Sequence, residues 1–345
     1  MITRAAVLYK TKGPLRIEEL EVPDLQKGQV LVKVRYSGVC HSQLNEIDGL
    51  KGKDVFLPHT LGHEGSGVVE QVGAGVTKVT RWDNVVLSWI KGKGLDARQS
   101  LYRKANGSIV NSGPISTFLT KAVVSENRLI KIPNNIDLKE AALLGCAITT
   151  GGGMIIHSAK LRARDSLAIF GVGGIGLSAL AVAKTKGASV IIAVDISGKK
   201  LARAKKFGAT HFINARQEDP LKKILRITKG RGVDYAIDAA GKAETMECAF
   251  KAVRNNGGLC IVAGNLAAGQ TISIDPFELI RGKRIIGSWG GEARPDADIP
   301  FYIRLIKSGK LNVSSMITHK FKLHEINSAF SLLRKGDCSR IVVEL

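Results

Sequence analysis

Ser166–Asp195 reads SLAIFGVGGIGLSALAVAKTKGASVIIAVD. An apolar run, Leu167–Phe170, leads into Gly171-Val172-Gly173-Gly174-Ile175-Gly176. A small-residue helix follows to about Lys186, and a β-branched run, Val190–Val194, ends in Asp195. The order is strand, glycine turn, helix, strand, acid. Gly171 permits the tight turn, Gly173 and Gly174 let the backbone approach a pyrophosphate, and Gly176 lets helix pack on sheet. The helix N-terminus offers N–H groups to an anion. Asp195 falls about 20 residues after the turn, where a carboxylate takes ribose hydroxyls. That acid repels a 2′-phosphate, so NAD is expected over NADP. Lys200 is placed to reach ribose or phosphate, or is a solvated helix lysine among Lys199, Arg203, Lys205 and Lys206. An ordinary α/β turn with Asp195 as a helix cap shares the same letters.

The 345 residues suffice for two domains with sizeable cores. A hydrophobic share of 44% and a charged share of 23% describe a soluble globular chain. The uncharged run Ser166–Ala183 has the length of a membrane span, but its glycines and strand–turn–helix grammar mark a buried unit. Met1-Ile2-Thr3-Arg4 leads into a strand-like run, so no secretion signal is expected. The five cysteines (Cys40, Cys146, Cys248, Cys260 and Cys338) are odd in number and lack a CxxC pair. That favours a reducing, cytoplasmic setting. The net charge of +21 is spread in pairs rather than runs, and aromatics reach only 5%. Base-stacking platforms need more, so neither specific nucleic-acid binding nor membrane binding is expected.

Along the chain, residues 1–39 read as strands, with Val30, Val32, Val34 and Tyr36 in strict alternation. A glycine-punctuated hairpin follows Leu61. Lys91–Pro114 reads as a polar loop, and residues 137–160 as a linker pair of helices. After Asp195, helices and strands alternate to about Trp289, which implies a doubly wound parallel sheet. From about Gly290 helices and one last strand, Arg340–Leu345, are expected.

Cys40, His63 and Cys146 are candidate metal ligands: two thiolates and an imidazole with a fourth position open suit a catalytic zinc. Their wide spacing is no zinc-finger signature, and by spacing alone the cysteines read equally as small buried hydrophobes. The surrounding words add to this. GVCHSQL (38–44), LGHEGSGVVEQVGAGV (61–76), LLGCAITTG (143–151), GVGGIG (171–176) and GSWGG (287–291) occur in that order. In combination they resemble the zinc-dependent alcohol dehydrogenases of the medium-chain superfamily, over nearly the whole chain.

The resemblance implies an α/β chain: a GroES-like, mostly-β catalytic domain from residues 1–147 and 289–345, with a Rossmann domain, 148–288, between. It implies reversible hydride transfer between an alcohol and NAD. Cys40, His63 and Cys146 match the zinc ligands, and Glu64 the acid behind the metal that approaches it transiently. Ser42 matches the hydroxyl that takes the alcohol proton, and His41 a basic residue facing the pyrophosphate. Thr150 and Ile175 match positions that press on the nicotinamide, Gly264 a backbone contact to its ribose, and Arg340 a phosphate contact. Trp89 matches a ring that narrows the substrate channel. A homo-oligomer, dimer or tetramer, is implied through the sheet edge near Ile285–Gly290.

The chain departs from that family in three places. Lys91–Pro114 has none of the four cysteines of a structural zinc, so one zinc per chain is expected. Gln43 stands where an acid usually orients the zinc-bound histidine, and Asn45 where a histidine often ends the proton relay. These departures keep open a specialised polyol, cyclic or amino-alcohol dehydrogenase. A third reading is an NAD-binding regulator or nucleic-acid-binding protein that kept the fold. The complete Cys40/His63/Cys146 set speaks against it, and Cys146 itself against the polyol branch, which typically has glutamate there.

Overall fold

The computed structural model describes Met1–Leu345 throughout. The chain divides into two compact units, Met1–Cys146 with Arg294–Leu345, and Ala147–Ala293.

In the first unit the organising element is the strand Gln29–Val39. Val30, Val32 and Val34 are buried while Lys33 and Arg35 face out, so the alternation sets which face meets the core. It anchors a seven-stranded sheet and pairs antiparallel with Glu64–Val72, with Lys121–Ser125, and with the C-terminal strand Arg340–Glu344. Register decides what meets what. Ser37 lies opposite Gly65 and Val39 opposite Ile341, so Glu64 and Arg340 are both delivered beside Gly38 and Cys40. A small closed barrel is built from Ile2–Leu8, Arg16–Glu21, Leu101–Arg103, Ile109–Asn111 and His59–Thr60.

Three local expectations are corrected here. Lys91–Pro114 is not all loop, because two of the barrel strands come from it. Each has three residues with one inward side chain, Tyr102 or Val110, which is too short for a period to show. The stretch 137–160 is not a plain helix pair. It breaks into Leu138–Ala141, a 3₁₀ turn Ala142–Gly145, the helix Ala147–Gly153 and a π-helical turn Met154–Ser158. The C-terminal region holds a second strand, Ile317–Lys322, parallel to Arg340–Glu344. Its half-exposed residues, ITHKFK, carry no clear alternation.

The lobe without cysteines is gathered by a carboxylate. Glu126 is 1% exposed. Its Oε1 accepts the N–H groups of Thr77 and Lys78, each at 2.6 Å, and its Oε2 accepts that of Leu95 at 2.7 Å. Asp296 adds a second tie, accepting from Lys93 N–H and pairing with Lys78 Nζ, both at 2.6 Å.

The second unit is a six-stranded parallel sheet in the order His211–Asn214, Val190–Asp195, Ser166–Phe170, Tyr235–Asp238, Leu259–Val262, Arg284–Gly287. The order reverses beside Ser166–Phe170, which is where doubly wound sheets bind ligands at their carboxyl ends. Ser166–Phe170 is buried along its whole length, as a strand covered on both faces must be. The run Ser166–Ala183 is thus strand, turn and helix, and no single helix of the chain is long and apolar enough to cross a membrane.

Burial works against the Glu126 charge, yet the hydrogen bonds from Leu95, Lys78 and Thr77 prevail and hold its carboxyl below the usual range. A depressed folded pKa means stability that is present above the unfolded value and lost as pH falls through the folded one. Glu126→Gln is expected to cost about 1.5–3 kcal/mol at neutral pH. The gap to wild type should narrow once pH drops below about 4.3. Urea midpoints from neutral to acid pH check both.

Candidate active site

Three strand and helix ends converge on one point of the first unit. Cys40 ends the run of Gln29–Val39 and caps the helix His41–Ile47. His63 directly precedes the strand Glu64–Val72. Cys146 lies at the break after Ala142–Gly145, with φ −147° and ψ −67°. The ligand atoms of the three residues all lie within 4.8 Å of one another. Two sulfurs and one imidazole at that separation suit tetrahedral zinc with one position left for another ligand. Cys40's thiol is drawn well below its usual pKa, first by a hydrogen bond with Cys146, then by His63 and Arg340, against burial. A lowered thiol pKa favours the thiolate a metal needs.

Behind the cluster sits a buried charge pair. Glu64 is 0% and Arg340 4% exposed, and Arg340 Nη2 contacts Glu64 Oε1. Burial lowers the guanidinium's pKa, with the Cys40 sulfur opposing. Space for the carboxylate comes from Gly38, where a Cβ would lie 2.2 Å from Glu64 Oε1. Ser37 Oγ and Thr117 Oγ1 both donate to the Glu64 carbonyl, at 3.0 and 3.1 Å. Of these supporting residues only Glu64 and Arg340 are marked in the sequence, although the glycine two residues before Cys40 is a trace of the requirement. Arg340 is held inside the first unit by Glu64 and Cys40, whereas the resemblance pointed to a phosphate contact.

Gln43 is 1% exposed and its Oε1 accepts the Cys40 N–H at 2.9 Å. It therefore positions the cysteine segment rather than His63. Ser42 lies partly exposed on the same helix and His41 is exposed at its start. The rings of His63 and Trp89 meet edge to face with centroids 6.4 Å apart, which puts Trp89 beside the cluster. The Trp89 carbonyl accepts from Arg128 Nη1.

The second unit holds the glycine turn. Gly171 has φ +88°, and a Cβ at Gly176 would lie 2.0 Å from the Gly171 carbonyl oxygen, so neither accepts a side chain. Gly173 has open space where its Cβ would be, and it caps the helix Gly174–Thr185 without a side-chain hydrogen bond. Gly174 and Ile175 begin that helix, whose first N–H groups have no partner within the helix. Asp195 ends its strand 9% exposed. Its Oδ2 accepts Val172 N–H and its Oδ1 Ser197 N–H, both at 2.9 Å, so it fixes the glycine turn while lone pairs remain. Lys200 is half-buried in the first turn of Gly198–Lys206. The helix bearing Thr150 packs on the one bearing Ile175, for a Cβ at Gly151 would lie 2.4 Å from Ile175 O. Asp238, unmarked by any motif, is fully buried at the next strand end and accepts from Gly241 N–H and Thr245 Oγ1. Burial pushes its carboxyl pKa up. Gly264 packs there, with space only for a hydrogen: a Cβ would lie 2.3 Å from Gly241 N.

Comparison with known proteins agrees with both halves. Residues 26–134 match the alcohol dehydrogenase GroES-like domain, and residues 174–308 the zinc-binding dehydrogenase family. The S-(hydroxymethyl)glutathione dehydrogenase of Synechocystis sp. is 33% identical over 99% of this chain and 100% of its own length. That of Saccharomyces cerevisiae is 34% identical over 99% and 95%. The structure of benzyl alcohol dehydrogenase from Acinetobacter calcoaceticus superposes with a TM-score of 0.90 at 32% identity, covering 100% of this chain and 99% of that one. An alcohol dehydrogenase zinc-binding domain protein from Burkholderia ambifaria gives 0.93 at 31%, with the same coverage. The chain belongs to the zinc-dependent alcohol dehydrogenases of the medium-chain superfamily. It is an oxidoreductase working between alcohols and their carbonyl products.

Removing one partner of a buried pair strands the other. Arg340→Met is expected to cost about 3–5 kcal/mol, and Arg340→Met with Glu64→Gln to recover part of it. Guanidinium midpoints of the single and double variants measure this. An unchanged midpoint in Arg340→Met would mean that the pair does not support the fold.

Proposed function

We propose that the chain oxidises small alcohols to aldehydes or ketones with NAD, reversibly, using one catalytic zinc and no structural zinc. The observation that carries this is the Cys40/His63/Cys146 cluster in a chain that also carries the glycine cradle and Asp195. Cys40, His63 and Cys146 would hold the zinc, which would supply a Lewis acid able to bring an alcohol proton within reach of neutral pH. The residues do the rest. Ser42, in the first turn of the helix that Cys40 caps, receives the proton and passes it toward solvent. Asn45 does not titrate, so the proton leaves through ribose and water or by another group. Glu64, held by Arg340, balances charge behind the metal. Trp89 limits the size of the alcohol from its place beside His63. In the other unit the N–H groups of Gly174, Ile175 and Gly176 hold the pyrophosphate, Asp195 the adenosine ribose, and Thr150, Ile175 and Gly264 the nicotinamide end, with Lys200 supplying positive charge; His41, in the first unit, is the further basic residue that the resemblance assigns to the pyrophosphate. Asp195 favours NAD over NADP because a 2′-phosphate would meet its carboxylate.

The free cysteines suit a cytoplasmic setting. We read the protein as a homo-oligomer. Arg284–Gly287 is an open sheet edge, and beside it Phe277, Leu279, Ile280 and Trp289 are 52, 45, 77 and 79% exposed. A second reading of the substrate, a hydroxymethyl thiol adduct, is favoured by the names of the relatives.

The test is NADH formation from NAD with short primary, benzylic and secondary alcohols and S-(hydroxymethyl)glutathione, run on native, zinc-stripped and zinc-restored protein. Zinc-dependent turnover best on short primary alcohols is expected. Best turnover on the thiol adduct would establish the second reading, and turnover unaffected by zinc removal would overturn both. Separately, Ile280→Glu is expected to convert the oligomer to monomer in light scattering, while a wild-type monomer would end that part of the proposal.

A further inference from the structure

A second cluster of metal-type donors lies in the first unit, apart from Cys40, His63 and Cys146. Glu46, Asp54 and His59 bring one ligand atom each to within 4.8 Å of one another. The His59 side chain is 7% exposed and that of Asp54 9%, with Glu46 at 28%. Each residue is held from its far side. His59 Nδ1 stands 3.1 Å from the Thr60 carbonyl, so that nitrogen carries the proton and donates. Asp54 Oδ1 accepts the Phe56 N–H at 3.0 Å. Glu46 Oε2 accepts from Lys51 Nζ at 2.9 Å. What remains of the three converges: Asp54 Oδ2 lies 2.7 Å and Glu46 Oε1 3.7 Å from His59 Nε2.

A histidine whose Nδ1–H is committed to a backbone carbonyl presents its Nε2 lone pair outward, the arrangement of a metal-bound imidazole. Here that lone pair faces two carboxylate oxygens, and three electron-rich atoms so placed need a positive charge between them. A proton on Nε2 satisfies one carboxylate, whereas a divalent ion satisfies all three atoms together. Metal–ligand bonds near 2.0–2.2 Å place neighbouring ligand atoms about 3–3.5 Å apart. The two observed separations straddle that range, so shifts of a few tenths of an ångström suffice.

The geometry points to a second, exchangeable cation site at Glu46, Asp54 and His59, taking a first-row divalent ion such as Mn²⁺ or Co²⁺ through one nitrogen and two oxygens, beside the single zinc of the cysteine cluster. Carboxylate and imidazole suit these ions, and solvent near Glu46 completes the coordination. The placement gives it a task. Glu46 lies on the helix that begins at Cys40, and His59 opens the strand His59–Thr60 that runs on toward His63. The turn bearing Asp54 is itself tied down, since Asn111 Nδ2 donates to the Phe56 carbonyl at 2.7 Å. A cation here clips together the two segments that supply the first two ligands of the catalytic cluster, and stabilises the protein in proportion to its own concentration.

The experiment starts from protein with its catalytic zinc in place, dialysed against metal-free buffer and then titrated with Co²⁺. Bound metal is counted by mass spectrometry, the visible spectrum recorded, and Tm followed. One further equivalent of cobalt, without a thiolate-to-cobalt charge-transfer band and with a rising Tm, is expected. Asp54→Asn and His59→Ala should both lose that equivalent and its Tm response, while Lys51→Met should bind it more tightly because a competing ammonium is gone. Asp54→Asn keeps the test decisive should His59→Ala fail to fold. No added equivalent overturns the proposal, as does uptake that displaces zinc and brings the thiolate band, or an added equivalent that survives in Asp54→Asn. Because binding rather than turnover is read, a failure here leaves the dehydrogenase reading untouched.

Discussion

The pairing of Arg340 with Glu64 ties the whole first unit together. An ionised carboxylate with no exposed surface is costly unless an opposite charge is brought to it. That charge comes from the far end of the chain, on a strand whose register against Tyr36–Val39 places it beside Cys40. Gly38 leaves the space, Ser37 and Thr117 hold the backbone of Glu64, and Gln43 holds that of Cys40. The metal ligands thus rest on a polar lattice in addition to the apolar packing of Val39, Leu44 and Leu61. Such a lattice is directional, so it fixes orientation as well as position.

The second unit solves its corresponding problem with backbone. Asp195 and Asp238 end two strands flanking Ser166–Phe170 and spend their oxygens on nearby N–H and O–H groups. The turns they brace are glycine-rich because the chain passes within contact distance of itself. Asp195 serves the turn through Val172 and Ser197 and still has lone pairs to spare.

Much of this was legible beforehand. The strand–turn–helix–strand grammar of Ser166–Asp195 is local, and every signal in it lies within one βαβ unit. The alternation of Gln29–Tyr36 is equally local. Cys40, His63 and Cys146 stood out through the words around them, although spacing alone left them open. What stayed hidden depends on distant partners. Leu101–Arg103 and Ile109–Asn111 become strands only because a barrel needs closing, and Ile317–Lys322 only because Arg340–Glu344 offers it an edge. The same holds for Glu126, which looks like any surface glutamate until Thr77, Lys78 and Leu95 are seen to converge on it. Arg340 matches a family position, but its buried partnership follows from register and no motif encodes that.

The two units differ in one further respect. Ala147–Ala293 is continuous, whereas the first unit is stitched from Met1–Cys146 and Arg294–Leu345. During synthesis the parallel sheet therefore has all its strands while the catalytic half still lacks its last two. Glu64 has no Arg340 to meet until then, and its strand must wait with an unbalanced charge. Contacts that span so much chain form late and slowly. All residues of the continuous unit are thus made before the C-terminal strand that completes the support of the metal centre.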